Sequence, residues 1–203
     1  MSKVVVFTSL TLDGVMQAPG RPDEDRRGGF EHGGWAQPYA DSVLGSVAAD
    51  GMATGGALLF GRRTYEDFAA VWPNMPEPNP FSAVLNNSQK YVASRTLREP
   101  LPWQNSTLLE GDAADAVARL REQPGMDLVV LGSGELVQSL MRRNLVDEYV
   151  LLIHPLVLGS GRHLFTDGGA FARLRLVDTT TTTTGVVIAT YQPAEQSSGP
   201  EAA

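Results

Sequence analysis

A chain of 203 residues is long enough to bury one sizeable hydrophobic core and too short for two comfortable domains. Its formal net charge of -7 argues against a nucleic-acid or anionic-membrane surface as partner. The absence of cysteine excludes disulfides, thiolate catalysis and cysteine-bound metals, and no metal site is predicted. No apolar run reaches the length of a membrane span and no basic-then-apolar leader opens the chain, so the cytoplasm is the expected location.

Short apolar runs predict the strands, and several are continuous and β-branched, as expected of strands buried on both faces. The predicted strands are Val4–Phe7, Ala57–Phe60, Lys90–Ala93, Thr107–Leu109, Leu128–Leu131 and Glu148–Ile153. Helices are predicted in part of 35–51, from Arg62, after Asp112, and from Gly134 to Asn144. Arg173–Tyr191 predicts a hairpin around Thr184 and Gly185. With no repeat or linker, residues 1–192 are predicted to be one domain and 193–203 a disordered tail.

Asp13 and Gly14 directly follow the first predicted strand. One interpretation is a turn, since aspartate bonds its own backbone and glycine tolerates positive φ. The other places a carboxylate at the mouth of a cleft, and the two are compatible. Residues 17–34 come next and are rich in glycine, proline and charge. A loop of this length in a compact domain is often a lid or a binding loop.

Trp35, Tyr39 and Asp41 stand near the start of the next predicted helix, and Pro38 suits its first turn. Taken singly, each is best explained as a core or surface residue of a packed helix. Taken together, they suit a pocket for a flat polar ring, through aromatic stacking and a carboxylate hydrogen bond.

Gly61, Arg62, Arg63 and Thr64 form the turn from the second strand into a helix. The positive end of a helix dipole favours acids, so two arginines there are unfavourable unless an anion offsets them. This favours a phosphate-binding turn. The alternative is that the two arginines pair with Glu66, Asp67 or more distant acids.

The segment 72–80 contains four prolines, which predicts a stiff surface excursion that is neither helix nor central strand. Ser94 and Arg95 stand at the exit of the next predicted strand. They repeat the combination of a hydroxyl group and a guanidinium group at a strand end.

Residues 127–141 combine a buried strand, the turn Gly132–Ser133–Gly134 and an amphipathic helix. That order aims free backbone N–H groups and the positive end of a helix at one point, which suits a phosphate. The turn lacks the third glycine of a dinucleotide-binding fingerprint, so an ordinary strand-to-helix turn is the alternative.

Four stretches in this order resemble the dihydrofolate reductase-like family, in the branch that includes the reductase domain of riboflavin-biosynthesis deaminase-reductases. They are 9–14, 60–66, 130–134, and 147–149 with 154–161. The resemblance implies a three-layer α/β fold with a mixed, mostly parallel sheet and an antiparallel C-terminal hairpin. It also implies NADPH as hydride donor and, by family habit, a homodimer.

The resemblance also implies roles for individual residues. Gly61, Arg62, Arg63 and Thr64 would hold the pyrophosphate and the 2′-phosphate, and Ser94 and Arg95 would flank the adenosine. Gly132, Ser133, Gly134 and Glu135 would cradle the phosphates from the other side, with Leu136 closing over them.

The expected reaction is hydride transfer to a C=N or C=O carbon, completed by a proton from water or a carboxyl group. Asp13 is the first candidate for catalysis or substrate anchoring and Asp41 the second, with Trp35 and Tyr39 flanking the substrate. His154 is expected to be a packed histidine at a strand end. Pterin reduction, a flavin cofactor, and a non-catalytic nucleotide-binding protein on the same fold remain alternatives.

Overall fold

The computed structural model describes residues 1–53, 56–76, 79–123 and 125–194, and a single eight-stranded sheet runs through them. The strands are Val4–Thr11 (β1), Ala57–Gly61 (β2), Lys90–Ala93 (β3), Ser106–Leu109 (β4), Leu128–Leu131 (β5), Glu148–His154 (β6), Leu174–Thr181 (β7) and Val187–Pro193 (β8). Their order is β4-β3-β2-β5-β1-β6-β8-β7. The six strands from β4 to β6 are parallel, and β8 is antiparallel to β6 and β7. The predicted α/β fold is confirmed.

Helices cover both faces of the sheet. They are Ser42–Ala53 (α1), Arg62–Val71 (α2), Pro80–Asn87 (α3), Ala113–Glu122 (α4) and Gly134–Arg142 (α5). In β5, Leu128 and Val130 pack towards α4 and α5, whereas Val129 and Leu131 pack towards α2 and α3. Because both faces of this strand are buried, its sequence is continuously apolar. Full burial of each such side chain contributes about 1.5–3 kcal/mol.

The helix predicted within 35–51 begins later than its first aromatic residues. Gln37–Tyr39 forms a short 3-10 turn and α1 starts at Ser42. The carboxylate of Asp41 accepts a hydrogen bond from the backbone N–H of Leu44 at 2.8 Å, which fixes the start of the helix at this point.

The prediction that segment 72–80 contains no helix is wrong. Trp72–Asn74 forms a 3-10 turn and Pro80 opens α3, because proline is tolerated in the first helical turn and Asn79 caps it. The ring of Trp72 packs 4.7 Å from that of Phe81, so the segment joins the core. Residues 77 and 78 lie outside the described residues.

At the C-terminus, β8 continues through Pro193, and the backbone N–H of Ala194 donates to the carbonyl of Arg173 at 2.8 Å. The remainder of the predicted tail, 195–203, lies outside the described residues. Within the part of the chain that the structure describes, no helix is both long and apolar enough to cross a bilayer.

Candidate active site

The carboxyl ends of β2, β5 and β1 lie side by side, because these three strands are parallel and adjacent. Ligands of such sheets bind outside this edge. A cleft of about 1720 Å³ opens there, lined by the turns that follow β2, β3 and β5 and by the loop 17–34. Typical small-molecule pockets measure roughly 300–1,000 Å³. The cleft therefore has room for a dinucleotide and a second molecule.

The turn after β5 is tied to the turn after β2. The Ser133 hydroxyl group accepts from the backbone N–H of Gly61 at 2.9 Å and donates to the carbonyl of Leu131 at 3.2 Å. Gly132 and Ser133 both adopt the left-handed backbone conformation, with φ of 56° and 57°. This conformation suits glycine and is strained at a serine, and strain of this kind concentrates at functional sites.

Two helices begin at these turns, and neither receives a side-chain capping bond. The N-cap of α2 is Gly61 and that of α5 is Ser133. The first N–H groups of a helix have no partner inside the helix, and they carry the positive end of its dipole. Both helices therefore offer donors for an anion at the same cleft.

Arg62 and Arg63 line the cleft and also contact acids. Arg62 lies 3.2 Å from Glu66 on its own helix, and Arg63 lies 3.4 Å from Glu135 across the cleft. The predicted alternative, in which the two arginines pair with Glu66 and a more distant acid, is therefore present. These pairs are long and 38–77% exposed, and such pairs are worth about 0–1 kcal/mol.

All the residues predicted to hold the dinucleotide line this one cleft: Gly61, Arg62, Arg63, Thr64, Ser94, Arg95, Gly132, Ser133, Gly134, Glu135 and Leu136. Ser94 closes a turn by accepting from the backbone N–H groups of Thr96 and Leu97 at 3.1 and 3.0 Å. The side chain of Arg95 is exposed and makes no hydrogen bond or ion pair with a described residue.

None of the four residues predicted to contact the substrate, Asp13, Trp35, Tyr39 and Asp41, lines the cleft. The Asp13 carboxylate accepts from the Thr11 hydroxyl group and from the backbone N–H of Gly159 at 2.7 Å. The hydrogen bond from Thr11 is the main reason that the pKa of Asp13 lies below its ordinary value. The carboxylate joins the turn after β1 to the glycine-containing turn at Leu158 and Gly159, which follows β6.

Trp35 and Tyr39 pack against His154 instead of forming a pocket. Their ring centroids lie 5.1 and 5.5 Å from the imidazole, both edge-on. His154 is fully buried, its Nδ1 lies 2.9 Å from the Leu152 carbonyl, and Nε2 has no partner among the described residues. Burial lowers its pKa, so the ring is neutral. The prediction of a packed histidine is confirmed.

Asp41 connects α1 to the C-terminal hairpin. Besides capping α1, its carboxylate accepts from the backbone N–H of Thr183 at 2.7 Å and from the Thr183 hydroxyl group at 2.6 Å. The bond from the Leu44 N–H is the main cause of a lowered pKa at Asp41. The carboxylate is held as a charged acceptor outside the cleft.

Several cleft residues were not identified from the sequence. The polar part is lined by Gln17, Arg21 and Asp67, with Met16 beside them. An apolar wall runs along the end of α2 and continues past it, formed by Phe68, Val71, Trp72, Met75 and Phe81. The length of the loop 17–34 was the available signal for Gln17 and Arg21. The wrong expectation for segment 72–80 is the reason that Trp72 and Met75 were not identified.

Comparisons with known proteins agree with this geometry. The family model of the RibD C-terminal domain matches residues 2–188. The "Uncharacterized protein YyaP" of Bacillus subtilis (strain 168) is 32% identical over 138 residues, 66% of this chain and 72% of that protein.

Two solved structures share the fold. One, from Shewanella sp. PV-4 and named for riboflavin biosynthesis, has a TM-score of 0.66 at 21% identity and covers 95% of this chain and 99% of its own. Acinetobacter baumannii RibD has a TM-score of 0.63 at 15% identity, over 96% of this chain and 59% of its own. Since the family model spans nearly the whole described chain, the protein belongs to the RibD C-terminal domain family.

Proposed function

We propose that this protein is an NADPH-dependent reductase that delivers a hydride to a C=N or C=O carbon of a small heterocyclic substrate. The observation that carries the proposal is the convergence of all the predicted cofactor residues on one cleft, beside two uncapped helix N-termini. Membership of a reductase-domain family supports the same class of reaction. NADPH would supply the hydride, and the protein would bind, orient and shield the reactants.

The phosphate end of the cofactor would lie between α2 and α5. The N–H groups at both helix starts and the guanidinium groups of Arg62 and Arg63 would hold the pyrophosphate and the 2′-phosphate. Of the sixteen basic residues in the chain, eight line the cleft, against six of the twenty-three acids. The cleft is thus net positive in a protein of net charge -7, which attracts anionic ligands.

Two further groups would contact the cofactor. Ser94 and Arg95 would flank its adenosine end, where Arg95 has no competing partner among the described residues. Glu135 and Leu136 would lie against it from the first turn of α5. A methyl group on Gly134 would meet the Met16 sulfur at 2.6 Å, so glycine is needed at this position beside Met16.

The apolar wall beyond α2 would receive the flat ring of the substrate and exclude water from the reacting carbon. Asp13, Trp35, Tyr39 and Asp41 would then act by positioning the surrounding elements. Their carboxylates accept several hydrogen bonds and their rings are packed. The proton would come from water or from another carboxyl group of the cleft. A substrate resembling 5-amino-6-(5-phosphoribosylamino)uracil fits the net positive cleft.

The test is a titration with NADPH and NADH followed by nicotinamide fluorescence, together with turnover on pyrimidine, pterin and small carbonyl compounds. The wild type is expected to prefer NADPH. The Arg62→Ala/Arg63→Ala variant should lose about 10–100-fold of that preference, since hydrogen bonds to charged groups are worth about 1.5–3 kcal/mol. Arg143→Ala removes an exposed ion pair with Asp115 at the C-terminal end of α5, outside the residues that line the cleft, and should keep the preference for NADPH.

The results separate the alternatives. Equal affinity of the wild type for both dinucleotides would refute the assignment of the 2′-phosphate site. Tight binding without turnover would favour a non-catalytic nucleotide-binding protein. Turnover of pterins alone would favour a pterin reductase, and binding of a flavin in place of NADPH would favour a flavoprotein.

We also propose that the protein is a homodimer in the cytoplasm. The edge strand β7 is exposed along Arg175–Thr181 and presents Leu176 and Val177 to solvent, 50% and 45% exposed. Exposed sheet edges favour pairing with another chain. Light scattering that gives the mass of one chain at micromolar concentration would contradict the dimer.

A further inference from the structure

The loop 17–34 is fixed at its base. The Gln17 side chain is 4% exposed, and its Nε2 donates to the carbonyls of Asp25 at 3.1 Å and Arg27 at 3.0 Å. Its Oε1 accepts from the backbone N–H of Arg162 at 3.0 Å. The indole N–H of Trp35 donates to the Gln17 carbonyl at 2.7 Å. The base of the loop therefore moves with the rest of the domain.

The first part of the loop forms a turn around Glu24. Its Oε2 accepts from the backbone N–H groups of Gly20 at 2.7 Å and Arg21 at 3.0 Å. Gln37 donates to the Gly20 carbonyl at 2.7 Å. These bonds hold the turn in one shape and direct the Arg21 side chain away from the loop.

Arg21 reaches the helix on the opposite side of the cleft. Its two terminal nitrogens bond both carboxylate oxygens of Asp67 on α2, one of them at 3.3 Å. Asp67 lies one helical turn beyond Arg63, and both members of the pair line the cleft. Two-pronged pairs of this kind are the strong form of the arginine–carboxylate contact.

This pair is more buried than the ion pairs that Arg62 and Arg63 make at the start of α2. The Asp67 side chain is 19% exposed and that of Arg21 is 33% exposed, whereas the Glu135 partner of Arg63 is 77% exposed. The competing contact of Arg21 with Asp23 is 3.4 Å long and falls on a side chain that is 71% exposed. In the described part of the chain, the bonds from Arg21 to Asp67 are the hydrogen bonds that join the loop to α2.

We propose that Arg21 and Asp67 are positioning residues that form a latch, which holds the loop 17–34 across the cleft and limits the rate of cofactor entry and exit. The identity of the cofactor rests on the function proposed above, whereas the latch itself does not. Because the pair spans the cleft instead of belonging to the phosphate-binding turns, opening it should speed the exchange of NADPH and NADH by the same factor. Loss of a phosphate-binding arginine would instead change the preference between them.

Stopped-flow fluorescence with NADPH and with NADH tests the latch in wild type, Arg21→Gln, Asp67→Asn and the double variant. Each single change should raise both the association and the dissociation rates about tenfold, and the double change should add little, since the two residues act as one unit. The charge-reversed variant, Arg21→Asp with Asp67→Arg, should return the rates to within about threefold of wild type. Asp115→Asn, which breaks the exposed pair with Arg143, is the matched control and should leave the rates unchanged.

A second measurement needs no cofactor. Tryptic cleavage after Arg26 and Arg27 should be about tenfold faster in Arg21→Gln and in Asp67→Asn, and should slow again in the charge-reversed variant. If cleavage were faster in the variants but the wild type bound no dinucleotide, the latch would be supported and the proposed cofactor would be refuted. Unchanged cleavage, additive single effects, or no rescue by charge reversal would overturn the latch, whatever the protein binds.

Discussion

Replacement of Ser133 tests how the turn after β2 and the turn after β5 are held together. The hydroxyl group of Ser133 accepts one hydrogen bond from the Gly61 turn and donates another to the Leu131 carbonyl in its own turn, and its backbone is left-handed at φ 57°. Alanine removes both bonds and keeps the strained backbone. Each such bond contributes about 0.5–1.5 kcal/mol net, so Ser133→Ala should lower the free energy of unfolding by about 1–3 kcal/mol.

Glycine at position 133 loses the same two bonds but relieves the left-handed strain, which costs about 1–2 kcal/mol for other residues. Ser133→Gly should therefore be about 1 kcal/mol more stable than Ser133→Ala, although glycine is the more flexible residue. In a chain of this size that difference corresponds to roughly 2–4 °C in the melting temperature.

Urea unfolding and thermal melts of the three proteins, without cofactor, measure the difference. If Ser133→Ala were the more stable of the two variants, the left-handed conformation would not be strained and the reasoning would fail. If neither variant differed from wild type, the hydroxyl group would not connect the turns. Both variants should also bind NADPH more weakly, because the Gly61 turn is then no longer fixed against α5.

Three further predictions concern buried or capping groups. Lys90 is fully buried, and its ammonium group donates to three backbone carbonyls and lies 4.5 Å from the Trp103 ring. Lys90→Met should therefore lower the free energy of unfolding, measured in urea, by about 2–4 kcal/mol. Burial lowers the Lys90 pKa to about 8, so the unfolded chain binds more protons between pH 8 and 10.5. The free energy of unfolding of the wild type should therefore rise with pH across that window. If it changed with pH no more steeply than that of Lys90→Met, this expectation would be contradicted. Burial lowers the pKa of His154 as well, so the unfolded chain takes up a proton on this side chain more readily than the folded one. The free energy of unfolding should therefore be at its full value above pH 6.5 and decrease as the pH falls below it. Thermal melts between pH 5 and 7.5 should show a weaker pH dependence for His154→Phe. Asp41→Asn should speed hydrogen exchange at the Thr183 amide and leave the affinity for NADPH unchanged. If the variant instead lost turnover while exchange at Thr183 stayed slow, Asp41 would be a catalytic residue.

The meeting of the two glycine-containing turns at one cleft, where we propose that phosphate binds, could be predicted from sequence because its signals are local. A short buried strand, a glycine and the start of a helix place N–H donors by backbone geometry alone. Parallel pairing of β2 with β5 then brings two such units to one edge of the sheet. The arginines after Gly61 follow the same logic, because their position on α2 is fixed by the turn.

The surroundings of Asp13 and Asp41, which were predicted to contact the substrate, could not be predicted in the same way, because their partners meet them only through long-range packing. Asp13 looked catalytic beside a glycine, yet its partner Gly159 is 146 residues away and uses the carboxylate as an acceptor. Asp41 is likewise satisfied by Thr183, which is 142 residues away. A carboxylate near a strand end is equally suited to chemistry and to capping backbone N–H groups, and the sequence contains no signal that separates the two roles.

The ion pairs of Arg62 and Arg63 would compete with a bound anion for the same two guanidinium groups. Two guanidinium groups at the start of a helix are unfavourable without compensation, and Glu66 and Glu135 supply it. These contacts are long and exposed, so each is worth at most about 1 kcal/mol, whereas a hydrogen bond from arginine to a phosphate is worth about 1.5–3 kcal/mol. A phosphate that bound there, as we propose, would therefore displace the acids with a net gain in free energy. The pairs are consistent with an anion site, because they are weak enough to break when an anion binds.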